Sequence, residues 1–225
     1  MIWQDTGFLL NKNKFSENAS IAEFYTENHG KVTGVIYGST SKKIKNYLFI
    51  GNKFFLNYSS KNENKIGYFK IEIDRVKTPF FLENKKKLSC IVYAMNIVKL
   101  LTVDNQENIK IYNLINNFFD ILNNDVWIEK FIHWELEILK NIGYDINFSE
   151  YVTNTNVNGV QSYHVKLDSS RAVPSFLVDK KLTNVDNTEL IKGLELVGSF
   201  IDKTILKPNN ISYPNSRLEF VNLIK

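Results

Sequence analysis

The stretch from Gly38 to Tyr47 places three lysines, Lys42, Lys43 and Lys45, in four positions between Tyr37 and Tyr47. Ammonium groups attract phosphates, and aromatic rings stack on bases. Together they suit a single nucleic-acid strand, because the charges follow the backbone and the rings accept any base. Stacking of this kind contributes roughly 1–3 kcal/mol per base, while the lysines supply a non-specific, salt-sensitive part. A solvated loop with core-facing tyrosines fits the same residues, and the local sequence leaves both readings open.

Chemistry that needs a nucleophile or a metal finds little to work with. The chain has three histidines. His29 lies in a His-Gly turn, His133 lies beside Trp134 on a helical stretch, and His164 lies in a polar segment. None has the spacing of a metal site or a triad. Gly38-Ser39-Thr40-Ser41-Lys42 lacks the second glycine and the spacing of a phosphate-binding loop. Glu135 and Glu137, two apart on a helix, point away from each other. The single cysteine, Cys90, permits no internal disulfide and no cysteine-rich zinc centre, and its apolar surroundings read as core. The expectation is a binding protein, not an enzyme, with no cofactor and no metal.

Charge is distributed unevenly. Residues 1–80 hold twelve Lys/Arg against seven Asp/Glu, or +5. Residues 81–160 sum to −3 and residues 161–225 to +2, giving the net +4 of the whole chain. A localised basic excess is a footprint for phosphates or another anionic surface. Hydrophobic content of 44% and charged content of 23% are those of an ordinary globular chain. The opening residues lack the pattern of a signal peptide and no apolar run approaches membrane length, so the expected location is cytoplasmic.

The elements that position the lysines change character near Thr78-Pro79. Before it, alternation with a period of two predicts five strands: Trp3–Asn13, Ile21–Thr26, Lys31–Tyr37, Lys53–Ser59 and Ile66–Asp74. In the last of these, Phe69, Ile71 and Ile73 face one way and Tyr68, Lys70 and Glu72 the other. Five short strands fit a small OB-type barrel, and an SH3-like barrel also fits the count. After Pro79 the spacing becomes helical, with apolar faces through Leu88–Val98, Ile111–Leu122 and Ile128–Leu139, the last ending at Gly143. Asp104-x-x-Glu107 and Asp186-x-x-Glu189 resemble capping boxes. Asn147–Pro174 reads as non-helical, with one short alternating piece at Tyr163–Leu167. A helix over Thr188–Ile205 stops at Pro208, and an amphipathic segment runs from Ser216 to Ile224. The predicted class is α+β: a five-stranded OB-fold barrel at 1–79, then a helical domain at 80–225 with a lobe at about 147–183.

Landmarks in order along the chain resemble the RecO family of DNA repair and recombination mediators. The opening Trp3-Gln4-Asp5-Thr6-Gly7-Phe8-Leu9-Leu10 is similar to that family's first strand, and Glu17-Asn18-Ala19-Ser20-Ile21 to the segment that follows. Thr26 to Gly38 carries the paired glycine spacing of its next strands. Further on, Trp134 to Ile146 resembles the family's helix ending in Gly-Tyr, and Ser170-Arg171-Ala172-Val173 its Gly-Arg-Ala-Val. The resemblance implies an OB-fold followed by a helical domain, binding to single- and double-stranded DNA, and annealing of complementary strands. It implies as partners RecR, the C-terminal tail of single-stranded-DNA-binding protein and, indirectly, RecA recombinase, with a nucleoid-associated place in the cytoplasm. Some members hold zinc with four cysteines in the lobe. Here Tyr151 stands near the first such position and the others are absent, so the lobe is expected to be metal-free. Tyr37 also replaces a basic residue, and Ser170 replaces the glycine before Arg171.

The residues expected to contact DNA are Lys31, Lys42, Lys43 and Lys45 through phosphates, and Tyr37 and Tyr47 through stacking. Lys85, Lys86 and Lys87 form a candidate extension, since lysines are unfavourable at a helix start and so suggest a use. Trp3 reads as core, and Arg171 as a brace within the lobe. The alternative is an OB-fold adaptor that binds proteins rather than DNA. A third reading, a hydrolase or nuclease with an unfamiliar site, has the sparse His/Cys inventory against it.

Overall fold

Strand residues alternate between core and surface, and β-branched and aromatic side chains favour that arrangement. In the computed structural model, which describes residues 1–62, 65–157, 160–166, 168–179 and 185–225, this alternation builds a closed barrel. Its strands are β1 (Ile2–Ser16), β2 (Ala19–Thr26), β3 (Gly30–Tyr37), β4 (Lys53–Ser59) and β5 (Gly67–Arg75), in the order β1-β2-β3-β5-β4. A one-turn helix, α1 (Lys42–Lys45), lies between β3 and β4. This is the topology of an OB-fold. The inward residues Leu9, Ala22, Phe24, Val32, Ile36, Phe54, Leu56 and Phe69 form one buried cluster with Leu48 and Tyr58.

Closure depends on the parallel pairing of β3 with β5, where Gly34 lies opposite Gly67. A Cβ on Gly34 would come 2.5 Å from the Phe69 ring, and one on Gly67 would come 2.4 Å from the Tyr58 ring. Both rings fill space that these two residues leave empty. In β1, the register shift between Leu9 and Asn11 leaves Leu10 as an extra, buried residue. Such a bulge increases local twist, which a small barrel requires.

The chain forms two compact units. The first comprises Met1–Phe119 with Pro214–Leu223, the second Asp120–Tyr213 with Ile224–Lys225. Strand gives way to helix after Arg75, and the compact units divide later in the chain, within the helix that spans Ile109–Leu122. The reason is that α2 (Lys85–Leu101) and the start of α3 (Ile109–Leu122) cover the outer face of β1 and β2. Phe8 is fully buried, 5.5 Å from the Tyr112 ring, and the Thr6 hydroxyl lies 2.6 Å from the Tyr112 hydroxyl. Glu23 of β2 pairs with Lys99 of α2 at 2.8 Å. At the far end of α2, the Lys31 ammonium donates to the carbonyls of Lys99 (2.8 Å) and Thr102 (2.6 Å) and pairs with Asp104 (3.1 Å). It thus satisfies helix-terminal carbonyls and answers the negative end of the helix dipole. The C-terminal helix α8 (Asn215–Ile224) returns to this unit: buried Arg217 lies over the Tyr93 ring at 4.9 Å and hydrogen-bonds its hydroxyl, and Phe220 stacks on the same ring.

The second unit contains α4 (Trp127–Asn141), α5 (Phe148–Tyr151), a sheet of β6 (Val152–Val157), β7 (Val160–Val165) and β8 (Asp168–Val173), then α6 (Ser175–Val178) and α7 (Asn187–Ile201). Here α4 packs on α7, with the bare Gly193 meeting Phe176 and Ile132. The stretch expected to be non-helical, with one extended piece, instead has a one-turn helix and three antiparallel strands; Leu167 and part of the 147–183 lobe lie outside the described residues. The cap of α7 is Asp186, which accepts from the Glu189 amide at 2.8 Å. The box expected at Asp104-x-x-Glu107 caps no helix: α3 begins at Ile109, and the Asn108 side chain accepts from the Lys110 and Ile111 amides. Asp104 is occupied by Lys31 instead.

Two outcomes follow. Replacing Lys31 by Met removes a charged donor that is only 12% exposed, so urea unfolding should show a loss of about 2 kcal/mol, the scale of hydrogen bonds to charged groups. Asp5 is a second buried anchor. Its carboxylate accepts from the Thr6 and Asn28 amides, the Asn28 side chain and His29 Nδ1. Burial alone would raise its pKa, but these bonds, led by that from His29, outweigh burial and lower it below 3.8. An acid whose folded pKa is depressed stabilises the fold above its unfolded pKa and loses that contribution as pH falls through the folded value. Asp5→Asn should therefore lower the urea midpoint at neutral pH, and the gap to the parent should narrow steadily below about pH 4.

Candidate nucleic-acid interface

A cation can serve a phosphate only if it is exposed and held near others. On α1 the amphipathic spacing does this with four residues. Ile44 packs against the barrel core, and Lys42, Lys43 and Lys45 remain exposed around it. Ser41 caps the turn, its hydroxyl accepting from the Ile44 amide. The chain enters α1 through Gly38, whose φ of +72° is a left-handed conformation that glycine adopts without strain.

The same entry is fastened to the β1–β2 hairpin. Gly38 N donates to Asn18 O (2.7 Å), Thr40 Oγ1 donates to Asn18 Oδ1 (2.7 Å), and the Ser20 and Ser39 hydroxyls meet at 2.8 Å. The hairpin brings further cations that the sequence analysis left aside: exposed Lys12 and Lys14, with Phe15 57% exposed beside them. Lys12 Nζ donates to Leu48 O at 2.5 Å. Burial lowers the Lys12 pKa, and the nearby charge of Lys45 lowers it further. The Asn18 bonds to Gly38 and Thr40 are what hold the hairpin beside the helix that carries the other lysines. The alternation Lys12-Asn13-Lys14 at the end of a strand was the available signal.

The remaining expected residues fall differently. Tyr37 ends β3 with 65% of its surface exposed, 6.3 Å from the ring of Tyr68, itself 40% exposed. Tyr47 does not join it. Half-buried, it packs against the core 6.0 Å from Phe54, and burial followed by the charge of Glu72 raises its pKa. Part of its surface is thus spent on the barrel, and it is less open to a stacking partner than Tyr37. Lys31 is likewise a structural cation, since its donors are taken by α2. Lys85 and Lys86 are exposed and Lys87 half-buried at the start of α2, which Asn84 caps. They follow β5, which leaves the barrel at the end where β3 delivers Tyr37, because β3 and β5 run parallel.

The other end of the barrel has a different character. Trp3 is half-buried and stacked on both His29 (4.0 Å) and Tyr58 (4.7 Å), at the side of a cleft of about 550 Å³ that Asp104 and Glu107 also line. In the second unit His133 packs edge-on against Phe176, and Glu135 is buried. The side chains of Tyr151 and Arg171 lie outside those described. Among the described residues no three His, Cys, Asp or Glu side chains gather as a metal site, and no helix is long and apolar enough to cross a membrane.

Comparison with known proteins gives this arrangement a family. Residues 1–73 match the family model described as recombination protein O N terminal, and residues 82–210 match recombination protein O C terminal. The DNA repair protein RecO of Rhodospirillum centenum is 23% identical over 236 residues, covering 98% of this chain and 94% of that protein. That of Ehrlichia chaffeensis is 27% identical over 242 residues, covering 100% and 98%. That of Wolbachia pipientis subsp. Culex pipiens is 25% identical over 241 residues, covering 96% and 97%. An OB barrel joined to a helical region, matched in both parts, means that the chain belongs to the recombination protein O family, whose work is DNA repair and recombination.

Proposed function

We propose that this protein is a recombination mediator. It binds single- and double-stranded DNA, anneals complementary strands, and with RecR helps load RecA onto DNA coated by single-stranded-DNA-binding protein, whose C-terminal tail it docks. The observation that carries this reading is the group of exposed lysines on α1, stitched to the Lys12–Phe15 hairpin at one end of the barrel. Lysines held there neutralise phosphates and release their counterions. They do not read base edges, so a bound strand keeps its pairing face free for a complement. Holding a backbone while leaving bases available is what annealing requires, and no bond need be broken. The same logic suits a cytoplasmic protein working on the nucleoid.

We further propose that the protein works without a metal. Its one cysteine, Cys90, is fully buried in α2, remote in sequence from the lobe where relatives with four cysteines would hold zinc. Metal analysis of the purified protein should find no stoichiometric zinc, and a chelator should leave its thermal unfolding unchanged. Chelator-induced unfolding would overturn this.

The DNA reading is tested by changing Lys42, Lys43 and Lys45 together to Glu. Gel shift should lose most binding to an oligothymidine, and strand annealing should fall with it. The milder change of all three to Ala should flatten the log–log salt dependence by about 2, at about 0.7 per phosphate neutralised on a single strand. Wild-type protein that shows no DNA affinity at moderate salt, but forms a stable protein complex, would favour the adaptor reading.

A further inference from the structure

OB-folds commonly bind oligonucleotides on the face of strands 2 and 3 with the adjoining loops. In this protein much of that surface is taken. The outward residues Phe8 of β1 and Tyr25 of β2 are 0% and 1% exposed, and Lys31 of β3 is locked to α2. The outward face of β4 and β5, with the start of β1 and the end of β3 beside it, is open. Tyr37, Phe55 and Tyr68 are 65%, 48% and 40% exposed there, and Gln4 and Lys70 are exposed as well.

Strand register orders these side chains. Tyr68 lies opposite Ser59, which lies opposite Ile2. Two residues along, Lys70 lies opposite Asn57, which lies opposite Gln4. Beyond that, Glu72 lies opposite Phe55. A lysine and two amides therefore run across the middle of the face, with a tyrosine pair on one side and a phenylalanine on the other. The Tyr37 and Tyr68 rings are tilted by 56°, not stacked together, so each keeps a surface for a flat partner.

We propose that this open β4–β5 face is the path of an unpaired DNA strand, which continues onto the α1 lysines. Tyr37 and Tyr68 stack on successive bases, Lys70 takes a phosphate between them and Phe55, and the Asn57 and Gln4 amides meet sugar or phosphate oxygens, leaving the pairing edges free. Glu72 repels phosphate and bounds the path on its far side. Continuity with α1 is covalent: β3 delivers Tyr37 straight into the Gly38 turn that precedes the lysines. A second copy of the chain is a poorer occupant, because the face offers one carboxylate, Glu72, against Lys70 and would leave the α1 lysines, with which it is continuous, unmatched. The inference rests on the DNA-binding reading and names the surface that performs it.

The experiment uses the full chain and a fluorescently labelled oligothymidine, with anisotropy as the readout. Tyr37→Ala and Tyr68→Ala should each weaken binding about fivefold or more, the lower end of base–aromatic stacking. The salt dependence should stay unchanged, because no charge is removed. Tyr68→Phe should restore binding, and Lys70→Ala should flatten the salt dependence by about 0.7. Duplex of the same length should bind the tyrosine variants as it binds wild type, since its bases are already stacked. Unchanged oligothymidine affinity in both alanine variants, alongside lost binding in the α1 lysine variant, would overturn this path and leave the DNA reading intact. A wild-type dimer that Tyr68→Ala converts to monomer would overturn it too, by assigning the face to self-association.

Discussion

Closing five short strands into a barrel forces two of them to run parallel with little room between, and everything else in the first unit follows from how that seam is made. Gly34 and Gly67 meet there, and the Phe69 and Tyr58 rings occupy the volume their missing side chains leave. The seam sets the tilt of β3 and β5, and hence where each leaves the barrel. Because they are parallel, Tyr37 and the approach to α1 emerge at the same end as Arg75 and the approach to α2. Basic residues far apart in sequence thereby share one end of the barrel. The other end carries aromatic rings and carboxylates.

A second constraint decides which sides of the barrel stay available. Phe8-Leu9-Leu10 is apolar on successive residues, so β1 needs cover on both faces, and α2 with α3 supplies the outer one. The lock has polar parts at both ends of the contact, from Thr6 with Tyr112 to Lys31 with the last carbonyls of α2. Covering β1 and β2 leaves β4 and β5 with their outward side chains in water. Which barrel side chains stay in water is thus settled by where the helices must go to finish the core.

Much of this architecture could be read from the amino acids alone. The alternation in β4 and β5 is clean because one face is buried and the other wet, and it separated Tyr68, Lys70 and Glu72 from Phe69, Ile71 and Ile73. Helical spacing after Pro79 was equally plain in α3 and α4, which each bury one stripe. By contrast, α2 buries most of its circumference, Tyr93 and Ile97 included, and leaves Val92 exposed. Contacts between elements distant in sequence were not legible. Lys31 looks like any basic residue on a strand until α2 ends beside it, and Tyr47 looks fully free until Phe54 packs against it. Lys12 and Lys14 gained meaning only when Asn18 tied their hairpin to α1. The lobe was the hardest part, because Asn, Thr and Ser carry little periodicity. Texture and burial also divide the chain differently: α2 is helical by pattern, yet it packs on β1.

The crowding of Lys12 and Lys45 has a thermodynamic side. Two like charges held close, one of them partly withdrawn from water, oppose the native arrangement that gathers them. A polyanion arriving there relieves the opposition, and it meets no such arrangement on an unfolded chain. A ligand that binds only the native form raises its stability with the logarithm of free ligand concentration. On the proposed reading, a bound nucleic acid would thus also act as a brace that makes the occupied protein harder to melt than the empty one.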